Sequence, residues 1–278
     1  MAIDHYLHAQ KKAQKFTHAL QTKGEDTSLP VLSEIVPELN RLTQVPLGLV
    51  QIPLNLIEGT ATRGRTTAFA RNFMPLLDST SEFAYKWYTL YDDVIIHGLR
   101  DPIIAYEYYN RFYVVEGNKR VSVMKCLDAV SVEAIVTRII PNRSDDKENR
   151  VYFEYLPFYD ATGLNNVLLS EEGAYEKLAA YVGRKPGEKW TQEEIYDFRS
   201  MYSRFSVEFE EQGGEALGIT AGDALMVYLE IFGYENALKK LNSEFKEDIR
   251  RIWVEFQVKS NDEQVTLLMQ PKEESARG

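Results

Sequence analysis

A chain of 278 residues, 44% of them hydrophobic, is long enough for two domains and apolar enough to give each a core. The absence of any run near the roughly 18 apolar residues of a spanning helix, and polar Asp4, His5, Gln10, Lys11 and Lys12 near the start, argue against a membrane protein and a signal peptide. The single cysteine, Cys126, rules out an internal disulfide and a cysteine-rich metal site and fits a cytoplasmic protein with a buried, inert thiol. The net charge of −10 is uneven: residues 1–150 hold 18 acidic and 18 basic side chains, residues 151–278 hold 24 acidic and 14 basic. Duplex DNA, whose binding rests on neutralised phosphates, is therefore an unfavourable partner for the second half, whereas the first half can hold a local basic pocket.

In chain order, Tyr6, Ala9, Ala13, Phe16 and Leu20 recur at helical spacing, with Lys11, Lys12 and Lys15 on other faces, and predict an amphipathic helix over 4–22 that stops at Gly24. A short second helical pattern runs through Leu32, Ile35, Val36 and Leu39. Residues 47–53 read as a strand ending at Pro53, and 58–71, rich in Gly, Thr and Arg, read as a loop. A helix is predicted from the Ser79-Thr80-Ser81-Glu82 start, through Phe83, Trp87, Leu90 and Tyr91, to His97, with Gly98 as its stop. Residues 103–108 and 112–115 form a predicted hairpin about Asn110-Arg111, and 130–140 a further strand closed by Pro141. His5 and His8 have no third ligand nearby, so no zinc site is expected.

The polar run 142–150 marks the predicted boundary, and past Tyr159 the strand pattern gives way to helices. These are expected over 171–182, then from a capping box at Thr191 and Glu194 through Ile195, Phe198, Tyr202, Phe205 and Phe209. One more opens at Thr220 and runs to Gly233, and a last one is capped by Ser243. Their aromatic stripes read as core, and 270–278 as a polar tail.

The segment with the most chemistry is Phe112-Tyr113-Val114-Val115-Glu116-Gly117-Asn118-Lys119-Arg120-Val121-Ser122, a strand that meets a glycine and two cations before turning helical. Backbone N–H groups and the positive end of a helix dipole converge there on an anion, with Lys119 and Arg120 adding charge. Arg120 reads either as a fork onto two phosphate oxygens or as a structural partner of Glu116 or Asp101. Asn118 reads as a donor to phosphate or as a residue tolerant of the turn, and Ser122 as a donor or a local cap. Asp101 and Glu116 read as carboxylates for Mg²⁺ or proton abstraction, or as partners of Arg100, Arg111 or Arg120.

The order strand, Arg-rich loop, helix, Gly98-Leu99-Arg100-Asp101-Pro102-Ile103, hairpin, Gly117-Asn118-Lys119-Arg120, helix, strand resembles the ParB/sulfiredoxin superfamily over roughly residues 45–140. There a Gly-x-x-x-Pro-Ile element precedes a hairpin and a Gly-x-x-Arg turn opens a helix that binds nucleotide phosphates. The resemblance implies an α+β fold, a small mixed sheet with flanking helices, followed here by an all-α domain. The expected divisions are a helical segment 1–40, the ParB/sulfiredoxin-like domain 41–145, an acidic helical domain 150–265 and a tail or linker 266–278. It also implies that Gly98, Gly117, Asn118, Lys119, Arg120 and Ser122, with Arg63, Arg65 and Thr66 from a loop over the same turn, hold a nucleoside triphosphate, CTP or ATP, with Mg²⁺. The region is similar to the front end of larger bacterial proteins in which such a module precedes a periplasmic-binding-protein-like domain, so a C-terminal or separate protein domain is an expected partner.

Within the superfamily, sulfiredoxin needs a cysteine where this chain has Asn118, which argues against sulfinic acid reduction. Partition proteins add a helix-turn-helix, for which Gly218-Ile219-Thr220 is a poor match in an acidic half. Free-serine kinases use carboxylates near the turn, as Asp101 and Glu116 would here. The reading is a nucleotide-binding regulatory module; the alternatives are a small-molecule phosphotransferase and a DNA-binding or interaction scaffold without ligand.

Overall fold

The structure, a computed structural model, describes residues 2–64 and 66–269. The chain divides into two compact units between Arg143 and Ser144. Among the described residues no helix is long and apolar enough to cross a membrane.

The first unit opens with α1 (Ala2–Lys23), which buries Tyr6, Ala9, Ala13 and Leu20 while Phe16 stays partly exposed. After α2 (Leu32–Ile35) come β1 (Thr43–Pro53), β2 (Ile57–Thr60), α3 (Glu82–His97), β3 (Ile103–Tyr108), β4 (Arg111–Glu116), α4 (Asn118–Cys126) and β5 (Ser131–Ile140). The sheet is mixed, in the order β1-β5-β3-β4-β2: β1 is antiparallel to β5, β5 parallel to β3, β3 antiparallel to β4 and β4 parallel to β2. Flanking helices complete an α/β architecture. Tyr6, Ala9 and Ala13 of α1 pack with Trp87, Tyr91 and Val94 of α3 and Val123 of α4, and the Tyr6 hydroxyl donates to the Leu77 carbonyl at 2.7 Å. Leu32, Val36 and Leu39 form a second cluster with Tyr113 and Ile139.

Three local findings depart from the sequence reading. The segment expected to be loop from Glu58 contains β2, because the Thr60 N–H donates to the Pro30 carbonyl at 2.9 Å and Gly59 lets that carbonyl approach; a Cβ there would lie 2.1 Å from it. The hairpin turns on Tyr109 and Asn110, not Asn110 and Arg111; both have positive φ, the primed geometry that matches strand twist, and Glu107 Oε1 accepts the Asn110 N–H at 2.7 Å. Strand β1 begins four residues earlier than expected and accommodates Gly48, at φ 76°, as a register shift against β5.

The described residues of the second unit form helices joined by loops, with no strand among them: α5 (Lys147–Thr162), α6 (Ala174–Tyr181), α7 (Gln192–Glu211), α8 (Ala221–Phe232), α9 (Tyr234–Lys239), α10 (Asn242–Arg251) and α11 (Trp253–Met269). Helix α5 replaces the strand pattern expected up to Tyr159, since Val151, Tyr152, Tyr155 and Phe158 fall on one buried helical face despite their strand preference. The Thr191/Glu194 capping box is present, and Thr220 and Asp223 form a second one whose carboxylate also accepts the Ser170 N–H at 2.8 Å. Ser243 is not a cap: Leu241 occupies that position and the Glu244 carboxylate accepts its N–H at 2.8 Å. Phe205, Phe209, Tyr228, Phe245 and Phe256 interlock as the aromatic core.

Candidate functional site

Strand β4 runs directly into α4 through Gly117, whose φ of 110° and ψ of 20° suit glycine. A Cβ at this position would meet Ile103 Cγ2 at 2.8 Å, so the turn also lets the start of β3 pack against it. The first bond of α4 runs from the Val121 N–H to the Gly117 carbonyl at 3.0 Å, and no side chain caps the helix. The amides of its first turn lie outside the helix's own ladder, at the positive end of its dipole.

This turn forms one wall of a cavity of about 640 Å³. Residues 116–120 line it on one side and 98–101 on another, where Gly98 ends α3 at φ 73°. Phe69, Phe83, Leu90, Val94 and Leu99 supply apolar wall, and Gly64 reaches it from the Arg-rich loop. Ligand cavities commonly combine an apolar lining with a few placed polar groups, in the range of about 300–1,000 Å³.

The candidate residues fall into two groups. Gly98, Asp101, Glu116, Gly117, Asn118, Lys119 and Arg120 are on the cavity wall. Lys119 Nζ stands 5.6 Å from the centre of the Phe83 ring. Asn118 Oδ1 is shut off from solvent with no hydrogen-bond partner among the described residues, so this oxygen is not presented to a ligand in the cavity. Arg120 is engaged by the protein: Nη1 donates to the Asp101 carbonyl at 3.2 Å and to the Pro102 carbonyl, and Nη2 to Glu116 Oε1 at 3.2 Å. In this arrangement its guanidinium fastens the Asp101-Pro102 segment to the start of α4.

The others lie elsewhere. Ser122 is fully buried and accepts the Trp87 indole N–H at 2.8 Å, so it is neither at the cavity nor a local cap. Arg63 pairs through Nε and Nη2 with the Glu34 carboxylate, the latter contact at 2.9 Å, and the pairing holds the Glu34 carboxyl below its ordinary range. The Thr66 hydroxyl donates to the Arg63 carbonyl at 3.0 Å; neither residue lines the cavity. Arg65 lies outside the described residues, as does the 270–278 part of the expected tail. The cavity also recruits Asp93 and Arg100, paired at 3.1 Å, which sequence spacing could not single out because a helix end and a glycine separate them.

Among the described residues no group of three or more His, Cys, Asp or Glu converges as a metal site. An Mg²⁺ held by ligand phosphates and one or two carboxylates needs no such group, and Asp101 and Glu116 are the wall carboxylates beside the turn. Cys126 is half-buried, and burial pushes its thiol up.

At the far end of α4, Lys125 is mostly enclosed, donates to the Ile57 carbonyl at 3.1 Å and stands 4.8 Å from the Phe73 ring centre. Burial brings its ammonium down from 10.5 to about 8, with Glu58 opposing. Below pH 8 both folded and unfolded chains hold this proton; from about 8 to 10.5 only the unfolded chain does, so the group's contribution to stability rises with pH across that window. Urea midpoints at pH 7.5 and 9 are expected to show this rise relative to Lys125→Met, which cancels the opposing Cys126 thiol and the Tyr6 and Tyr91 phenols, all pushed up by burial; parallel profiles would refute it.

No model of a known protein family matches the chain, and no curated protein matches it.

Proposed function

We propose that the first unit is a nucleotide-binding regulatory module of the ParB/sulfiredoxin type. The observation that carries this reading is the 640 Å³ cavity opening on the uncapped N-terminus of α4 behind Gly117. The phosphates of CTP or ATP lie against the first-turn amides, with Lys119 and Arg100 supplying charge from the wall. The nucleoside lies along Phe69, Phe83 and Leu99. Arg120 acts as a positioning residue, holding the 98–102 segment at the distance the ligand requires. Nucleotide occupancy biases the acidic helical unit or a separate partner domain. The order of the two sequence elements, Gly-x-x-x-Pro-Ile before the hairpin and Gly-x-x-Arg after it, supports the same reading.

Calorimetric titration with CTP, ATP and GTP and their diphosphates, with and without Mg²⁺, tests it. At least one triphosphate is expected to bind, with Lys119→Ala weakening it about tenfold, the loss of one charge-assisted contact. No heat with any nucleotide would sink the proposal. A second reading, a phosphotransferase with Asp101 as base or metal ligand, is favoured by the place of that exposed carboxylate on the wall facing the turn residues' cavity. It requires turnover with a small-molecule acceptor that is lost in Asp101→Asn; binding without turnover across a metabolite panel leaves the regulatory reading.

A further inference from the structure

The helical unit contains a cavity of its own, about 230 Å³, formed between α5, α6 and the 184–190 loop. Its floor is aromatic. Phe158, Tyr175 and Trp190 are each no more than 5% exposed, and the Phe158 ring centre lies 5.0 Å from that of Tyr175 and 5.8 Å from that of Trp190. The Tyr175 hydroxyl is already engaged, donating to the Val167 carbonyl at 3.1 Å and accepting the Leu169 N–H at 3.2 Å. The ring therefore offers the cavity carbon surface rather than a polar group.

The rim carries charge. Glu154 and Glu176 line the cavity against one cation, Lys185. Glu154 accepts the Gly173 N–H, at 2.8 Å to Oε2 and 3.1 Å to Oε1, and an ionised carboxylate can accept about four hydrogen bonds in all. Burial pushes its carboxyl up, and Glu172 and Glu176 push it the same way.

The loop closing the cavity is fixed before any ligand arrives. Arg184 donates to Glu194 at 2.8 Å and to Glu188 at 2.8 Å, and Lys189 donates to the Asp160 carbonyl. Gly187, at φ 73°, brings the loop beside Pro157, where a Cβ would sit 3.7 Å from the proline ring.

We infer that this cavity binds an organic cation: an alkylammonium group on a short apolar stem. The stem lies against Phe158 and Trp190, and the charge sits between Glu154 and Glu176 over the aromatic faces. A neutral apolar ligand would strip Glu154 of water without giving it a partner, and an anion would meet two carboxylates. A hydrated metal ion would gain nothing from the aromatic floor. The volume suits a stem of a few carbons rather than a nucleotide. A free amine and the side chain of a lysine on another protein share this chemistry.

The test is fluorine NMR on the full chain labelled with fluorotryptophan, whose three resonances report Trp87, Trp190 and Trp253. Butylammonium, blocked lysine, 1-butanol and butyrate are titrated separately. A saturable shift of the Trp190 resonance with the two cations, absent with butanol and butyrate, is the expected result. Glu154→Gln, which keeps an acceptor for the Gly173 N–H, is expected to weaken binding about tenfold. Lys185→Ala, on the exposed rim, is expected to strengthen it, and serves should the first variant fail to fold. Tighter binding of blocked lysine assigns the source to a protein side chain, and tighter binding of butylammonium to a free amine. An equal response to butanol, no saturable shift with either cation, or weaker binding in Lys185→Ala would overturn the inference.

Discussion

Arg138→Met is expected to lower the unfolding free energy by about 3–5 kcal/mol, the cost of removing the charge partner of a buried carboxylate. Arg138 on β5 stands opposite Glu107 on β3 in the parallel register, and the two residues are 3% and 1% exposed. The Arg138 Nε donates to Glu107 Oε2, while Oε1 takes the Asn110 N–H of the hairpin turn. One carboxylate thus joins the sheet interior to the turn that pairs β3 with β4. Glu107→Gln is expected to fall in the same range, because it leaves the guanidinium buried without its counter-charge. The double variant Glu107→Leu/Arg138→Met should lose less than either single one, since two apolar side chains remove both desolvation costs together. Urea denaturation of the three variants reads this directly. A single-variant loss below about 1 kcal/mol would place the pair among ion pairs of surface strength and refute the expectation.

The second large effect is expected at the Gly117 turn, where the proposed function puts the phosphates. Gly117→Val should abolish detectable nucleotide heat, a loss of at least about a hundredfold, and should destabilise the first unit by about 1–3 kcal/mol from backbone strain alone. A branched side chain at φ 110° is strained whatever space surrounds it, and its Cβ would also lie 2.8 Å from Ile103 Cγ2. The two causes separate experimentally. Pairing Gly117→Ala with Ile103→Ala removes the contact and keeps the φ; truncating the fully buried Ile103 costs about 2–5 kcal/mol by itself, so the relieved contact should appear as a double variant less destabilised than the sum of the two single ones, while the amides at the start of α4 remain displaced. Denaturation reports the fold and calorimetry the site. A Gly117→Val chain with undiminished affinity would show that the turn does not hold the ligand, whatever else the unit binds.

What could be read in the sequence follows from how local its cause is. Gly98 and Gly117 were legible because each ends or begins a helix at a backbone angle that glycine adopts freely, and both have positive φ. The Thr191/Glu194 box was legible because its partners are three residues apart. Strand β2 was not, since four residues rich in Gly and Thr show no alternation, and their pairing to β4 lies more than fifty positions away. Helix α5 was misread because aromatic and β-branched residues favour strands locally, and only burial on one face overrides that preference. The site divides the same way. The turn at 117–120 is a local object, whereas the partners of Ser122 and Arg63 are 35 and 29 positions distant, and no spacing rule points from one to the other. Arg120 shows a further limit: its sequence position was informative, but the direction of its side chain depends on carbonyls at Asp101 and Pro102.

The cavity is bounded by two helix ends of opposite polarity. Helix α3 finishes at Gly98, whose N–H closes its ladder on the Val94 carbonyl at 2.8 Å, and α4 begins at Asn118. About half a unit of negative charge therefore gathers at the α3 end in the lining and half a unit of positive charge at the α4 end. Such a pair acts as a compass on whatever enters. A ligand with an anionic end and a hydrogen-donating end is turned one way before any side chain touches it, while a symmetric dianion gains at one wall what it loses at the other. An orienting field of this kind comes from the backbone, and it would persist through side-chain substitutions that left both helix ends in place.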